Sequence, residues 1–131
     1  MASTYGYSTI VKLELYSSED YGTIDATYLT DAHVDAKITA AEQAINTYLG
    51  KTFTGTIPDA IELSTNIIAS RIILKWLMLH AFNSLSTEQI KEAALPLICK
   101  TVEGLLAVYK STKVSPIKLH RLYNNDQSVY Y

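Results

Sequence analysis

The sequence predicts an all-α fold: a small helical bundle of about four helices with an extended C-terminal arm. Apolar residues recur at helical spacing through most of the chain, and residues that start and end helices flank these stretches. After Lys110 the helical spacing is lost. A length of 131 residues suits one domain. We therefore expect a helical domain over residues 1–110 and an arm over residues 111–131.

The first half of the chain predicts two helices. Thr9–Tyr16 forms a short one, capped by Ser8 or Thr9, and residues 17–27 predict a loop. The second begins at Thr30 or Asp31 and ends at Gly50, where glycine tolerates the left-handed conformation. Its expected apolar face comprises Val34, Ile38, Ala41, Ile45, Tyr48 and Leu49. Its expected solvent face comprises Asp35, Thr39, Glu42, Gln43 and Asn46.

A third predicted helix runs from Pro58 to about Phe82 and has apolar residues on two sides. Two polar stripes separate these apolar sides. Arg71 and Lys75 form one stripe, and the opposite stripe comprises Glu62, Asn66, Ser70 and His80. A surface helix has one apolar face, so this helix is expected to be central. Either its own domain or a neighbouring subunit must cover the second side. We expect a subunit interface at Ile68, Arg71 and Lys75.

The fourth predicted helix begins at Ser86, where Ser86 and Gln89 match a capping box. A broad apolar arc continues to Tyr109. Pro96 lies inside this pattern, and we expect it to kink or break the helix near its second turn.

The residues after Lys110 predict an extended arm with strand character. Apolar and polar residues partly alternate over 113–123, and Pro116 disfavours helix at Ser115. A lone strand leaves its backbone groups unpaired, so the arm is expected to dock on another chain; the alternative is a disordered tail. The expected partner-binding residues are Val114, Ile117, Leu119, Arg121, Leu122, Tyr123, Tyr130 and Tyr131.

Charge is distributed unevenly along the chain. The net charge of −2 argues against a general nucleic-acid binder. Residues 1–60 hold eight acidic and three basic residues, whereas residues 110–131 hold four basic and one acidic residue. The acidic front and the basic tail could attract each other between copies; alternatively, both are simply solvated. Charged residues make up only 18% of the chain, which indicates that partners cover part of its surface.

No motif for catalysis, metal or cofactor binding stands out. Gly50-Lys51-Thr52 resembles the end of a phosphate-binding loop, but position 45 lacks the required glycine and a helix precedes it. The three histidines and the acids Asp20, Asp25, Asp31 and Asp35 lack metal-ligand spacing. Cys99 is expected to be a reduced core thiol. We expect no enzyme, no cofactor and no metal, although dispersed catalytic residues can always converge in a fold. We also expect no signal peptide and no membrane span.

The chain has ten tyrosines, which are concentrated near its two ends. Tyrosine combines apolar area with a hydroxyl and is enriched at interfaces. The two groups therefore predict docking surfaces, and compositional bias is the alternative. Their members are Tyr5, Tyr7, Tyr16, Tyr21 and Tyr28, and Tyr123, Tyr130 and Tyr131.

The segment from Tyr28 to Leu79 resembles a known family. It contains an amphipathic helix that ends in the turn Tyr48-Leu49-Gly50-Lys51-Thr52-Phe53, followed by Ile57-Pro58-Asp59-Ala60-Ile61 at the start of a long apolar helix. This order is similar to that of the head–tail connector proteins of long-tailed bacteriophages, also called adaptor or head-completion proteins. Pro96 and the tyrosine-rich first 28 residues depart from the family pattern.

The resemblance implies a structural protein of the virion neck, assembled in the host cytoplasm. Such proteins form a ring of about twelve copies under the portal protein, with a head-to-tail contact between copies. The ring extends the DNA channel, allows non-specific contact with passing DNA, and meets a tail, stopper or tail-completion protein. The resemblance also implies that residues 114–131 contact the portal. It places residues 51–57 near the channel or the next component. An acidic front half would suit a channel wall that repels phosphates.

A second hypothesis is a small nucleic-acid-binding regulator or DNA-packaging subunit. Its basic C-terminal arm would use Lys113, Lys118 and Arg121, and its DNA binding would depend strongly on salt. The negative net charge counts against this hypothesis.

Overall fold

The computed structural model describes residues 3–24, 29–79 and 86–110, and all regular structure in these ranges is helical. This confirms the predicted all-α bundle. The predicted arm, residues 111–131, lies outside the described residues. Five helices and one single turn follow in order: α1 Ile10–Ser17, the turn α2 Tyr21–Ile24, α3 Asp31–Leu49, α4 Asp59–Leu79, α5 Thr87–Ala94 and α6 Lys100–Leu106.

The caps of α1 and α3 are as predicted. The Thr9 side chain accepts a hydrogen bond from the backbone N–H of Lys12, and the Thr30 side chain accepts one from that of His33. Gly50 ends α3 with φ 71°, and its N–H donates to the carbonyl oxygen of Asn46 at 2.8 Å. The loop predicted over residues 17–27 was wrong in part, because α2 forms a helical turn within it.

Two residues of α3 correct its expected solvent face. Asp35 and Glu42 are both buried, and Glu42 has no exposed area at all. Residues 3–7 cover α3 around Glu42, and the helical period alone gave no sign of that cover.

Helix α4 is the central element of the bundle, as its two-sided apolar pattern predicts. It packs against α1, α3, α5 and α6, so the chain itself covers most of both apolar sides, while Leu63, Met78 and Leu79 stay exposed. Ile68 has no exposed area and Arg71 is only 4% exposed. The subunit interface expected at these two side chains was therefore wrong, because both lie inside the folded chain. Lys75 is exposed, and its contact with another subunit stays a prediction.

The predicted fourth helix is two separate helices, α5 and α6. Its start is confirmed, since Ser86 and Gln89 form a reciprocal capping box. Helix α5 ends at Leu95, whose ψ of 149° is extended. Proline disfavours helical geometry in the residue before it and offers no N–H of its own. Pro96 therefore breaks the helix completely, and α6 starts only after Cys99.

The core corrects in part the expectation that the tyrosines near the front of the chain form docking surfaces, since two of the five lie inside the fold. Tyr7 and Tyr21 are buried, and burial raises the pKa of Tyr21 to about 12. Tyr5 and Tyr16 are exposed. Tyr28, Tyr123, Tyr130 and Tyr131 lie outside the described residues. None of the helices described here is long and apolar enough to cross a membrane.

Candidate interaction surface

Aromatic rings from separate parts of the chain meet beside the C-terminal ends of α3 and α6. We give the name aromatic end to the three contacting rings of Tyr7, Phe53 and Tyr109 together with Tyr48, which lies in the last turn of α3. The Phe53 ring makes edge-to-face contacts with Tyr7, at 5.9 Å between centroids, and with Tyr109, at 5.5 Å. This geometry is the favoured one for aromatic pairs. It joins the N-terminal segment, the loop before α4 and the chain after α6.

The Tyr7 hydroxyl fixes the loop at the aromatic end. It donates a hydrogen bond to Asn46 Oδ1 on α3 and accepts one from the backbone N–H of Phe53 at 2.8 Å. A buried hydroxyl that serves as donor and acceptor at once sets the position of both partners. The start of loop 51–57 is therefore held against α3.

Two exposed lysines lie over the rings of the aromatic end. Lys51 Nζ is 5.2 Å from the Phe53 centroid and 5.8 Å from that of Tyr109. Lys110 Nζ is 3.7 Å from the Tyr48 centroid. Ammonium groups at these distances are attracted to the ring faces. The contact with Tyr48 holds Lys110 against α3.

A buried carboxylate holds the N-terminal segment on α3. Glu42 accepts hydrogen bonds from Ser3 Oγ at 2.6 Å, from the N–H of Tyr5 at 3.1 Å and from the N–H of Tyr7 at 2.8 Å. The N–H of Thr4 also donates to Thr39 Oγ1 at 3.0 Å. Hydrogen bonds to a charged acceptor are stronger than those between neutral groups. Glu42 thereby places Tyr7 where its ring and hydroxyl complete the aromatic end.

A second polar cluster lies at the break between α5 and α6. Arg71 on α4 donates from Nε to Glu92 Oε2 at 2.7 Å and from Nη1 to Cys99 Sγ at 2.8 Å. Cys99 is a buried free thiol, as predicted. Its burial alone would raise its pKa, but the N–H groups of Val102 and Thr101 and the Arg71 guanidinium lower the net pKa. Glu92 lies on α5 and Cys99 lies at the start of α6, so the two contacts of Arg71 tie α4 to both sides of the helix break.

The described residues contain no group of three or more His, Cys, Asp or Glu placed to hold a metal ion. Asp35 is buried, and its Oδ2 has no hydrogen-bond partner within the described ranges. Burial and nearby Asp31 raise the pKa of Asp35.

The remaining acids and histidines considered as metal ligands are dispersed. Asp20 and Asp31 are exposed, and Asp25 lies outside the described residues. His33 contacts Thr30 Oγ1 through Nδ1 at 2.8 Å, while His80 and His120 lie outside the described part.

The structure divides the predicted site residues into three groups. All eight expected partner-binding residues of the arm lie outside the described residues and stay predictions. Ile68 and Arg71 are internal, and Lys75 alone of the expected interface is exposed. Sequence reasoning missed the aromatic end, although the turn from Tyr48 to Phe53 was its one visible signal.

No protein-family model, no curated protein and no solved structure matches this chain.

Proposed function

We propose that this chain is a structural virion protein, without enzymatic activity, that acts as a head–tail adaptor. In this proposal it forms a ring of about twelve copies under the portal, extends the DNA channel and joins the capsid to the tail. The observation that carries the proposal is the aromatic end. Its turn from Tyr48 to Phe53 is the family-like part of the sequence, and its Lys110 leads directly into the predicted docking arm.

The aromatic end gives the proposed adaptor two neighbouring contact regions. The arm contacts the portal through Val114, Ile117, Leu119, Arg121, Leu122, Tyr123, Tyr130 and Tyr131. Loop 51–57 starts at the same end and faces the channel or the next tail, stopper or tail-completion protein. An anchored base limits the directions the arm can take, which lowers the entropy cost of docking.

The proposed ring needs a contact between copies, and the buried side chains of α4 do not supply it. The α4 side chains that the sequence favoured for this contact are covered by the chain's own helices. Lys75 and exposed apolar residues elsewhere are the available surfaces. In the assembled neck, formed in the host cytoplasm, the acidic front half of the chain would disfavour sticking of the DNA that passes.

A second candidate is a nucleic-acid-binding regulator or packaging subunit. The observation that favours it is the placement of Lys51 and Lys110 at the start of a segment that carries Lys113, Lys118 and Arg121. A basic arm with nearby aromatic rings can bind phosphates and bases. Both described lysines lie over rings of their own chain, however, and the net charge is negative.

The portal contact is tested with two full-length double variants that change the same arm. Leu119→Asp with Leu122→Asp removes two apolar contacts, and Ser115→Asp with Gln127→Asp adds the same charge without removing apolar area. Binding to a phage portal protein is measured by biolayer interferometry. We expect the first variant to bind at least about tenfold more weakly and the control to bind nearly as the wild type does. Equal binding by both variants would contradict the arm assignment.

The second candidate is tested by DNA binding. Binding that disappears when Lys113, Lys118 and Arg121 become Gln would favour it.

A further inference from the structure

The outward side of α1 carries apolar side chains that the chain does not cover. Val11 is 66% exposed, Leu15 is 76% exposed and Tyr16 is 43% exposed. Residues four apart lie on one side of a helix, so Val11 and Leu15 are neighbours. Leu13, which points the other way, is fully buried. We call Val11 and Leu15 the outer face of α1; Tyr16 lies about 100° further round the helix from Leu15 and is not part of it.

Negative charge borders this face. Glu19 and Asp20 follow the C-terminal end of α1, and no basic residue occupies its last turn. Glu14 lies in the middle of α1, and its Oε2 accepts a hydrogen bond from the N–H of Tyr21 at 3.1 Å. The helix dipole adds partial negative charge at the same end. The nearby positive groups already have partners, since Lys12 pairs with Glu62 at 2.8 Å and Arg71 pairs with Glu92. A partner that fits this face is apolar and basic.

The C-terminal segment of this sequence has that chemistry. Residues 111–131 hold three basic residues and one acidic residue. Within them, Ile117, Leu119 and Leu122 are interleaved with Lys118 and Arg121. We propose that the C-terminal arm of one copy docks on the outer face of α1 of a second copy when no portal is bound.

The match between the arm and the face does not depend on the proposed function. The choice of a second copy, and the release of the arm once the portal binds, rest on that function, in which several copies assemble and the arm contacts the portal. Twenty-one extended residues span up to about 70 Å, so length does not prevent the arm from reaching a neighbour.

The test uses two full-length variants that each lose one half of the contact. The face variant is Val11→Glu with Leu15→Glu, and the arm variant is Ile117→Glu with Leu119→Glu. The control is Gln43→Glu with Thr47→Glu, which adds the same charge at two exposed positions four apart on α3. Analytical ultracentrifugation measures self-association, and circular dichroism melts check that each variant is folded.

We expect the wild type and the control to self-associate, and each variant alone to associate at least about tenfold more weakly. An equimolar mixture should form a heterodimer and nothing larger, because the intact arm of one variant meets the intact face of the other. Glu19→Lys should also weaken self-association, and it changes an exposed residue without touching the core. This variant keeps the test valid if the face variant fails to fold.

A mixture that stays monomeric, or an arm variant that still self-associates, would overturn the proposal. A monomeric wild type would also overturn it, including the case in which the arm docks on its own chain. The adaptor function fails separately: a folded face variant with an intact arm that does not bind the portal would contradict that function and leave the self-association result unchanged.

Discussion

Glu42 organises the N-terminal segment through one buried carboxylate. Its helical position places it among polar residues of α3, which is why the sequence predicts exposure. Residues 3–7 then fold over it and supply a hydroxyl and two backbone N–H donors. Backbone donors leave no mark in a pattern of side chains, so this contact could not be predicted from the sequence.

Replacing Glu42 with Gln should lower the free energy of unfolding by about 1.5–3 kcal/mol. The amide has one acceptor oxygen in place of two and no charge, and its NH₂ group would face donors. The measurement is urea denaturation. Glu19→Gln, at an exposed position, should change the value by less than about 0.5 kcal/mol. Equal effects at both positions would show that Glu42 does not hold the segment.

Asp35 is a second buried carboxylate of α3, and unlike Glu42 it lowers the stability of the folded state at neutral pH. Burial raises its pKa, so the folded state disfavours the charged form. This penalty lowers the free energy of unfolding. It is absent below about pH 3.9, which is the ordinary pKa of Asp in an unfolded chain, and it reaches its full size once the pH exceeds the raised pKa of Asp35 in the folded state. Asp35→Asn should therefore raise the melting temperature at pH 7, and the gain should shrink as the pH falls toward 4.

Thermal melts across this pH range, with Asp31→Asn as the control, measure the effect. Asp31 is exposed in the first turn of α3, where a negative charge favours the helix, so its loss should be slightly destabilising. A gain from Asp35→Asn that is the same at every pH would contradict the account.

At the scale of elements, the sequence predicted most of the helices and their caps. Thr9, Thr30, Gly50 and the Ser86–Gln89 box all act where the pattern placed them, because caps are local chemistry. The sequence did not reveal what covers each helix. The second apolar side of α4 was open to two readings, and only the three-dimensional packing shows that the chain covers it.

The ion pair between Arg71 and Glu92 joins α4 to α5 across the start of the helix break. Arg71 is buried, whereas the Glu92 side chain is 41% exposed. Glu92→Gln leaves the buried guanidinium without its carboxylate, and we expect a loss of about 1–3 kcal/mol, reduced from a fully buried pair by that exposure. Urea denaturation measures it. Glu88→Gln, on an exposed position of the same helix, should cost less than about 1 kcal/mol. Similar losses would mean that the pair does not tie the two helices.

At the scale of the whole molecule, the described domain is a bundle around α4 with the aromatic end at the base of the arm. Within the described residues the chain's own helices cover most of the core, which is compatible with the proposed adaptor folding before it assembles. Under the adaptor proposal, the assembly contacts are expected at the predicted arm, at loop 51–57 and at the outer face of α1.

Negative-stain imaging of the purified full chain, alone and mixed with a phage portal protein, tests the adaptor proposal most directly. The account predicts rings of about twelve copies, or added density at the narrow end of the portal. A monomer that leaves the portal unchanged would contradict it, and if that monomer also shifts DNA in a gel, the nucleic-acid-binding candidate would take its place.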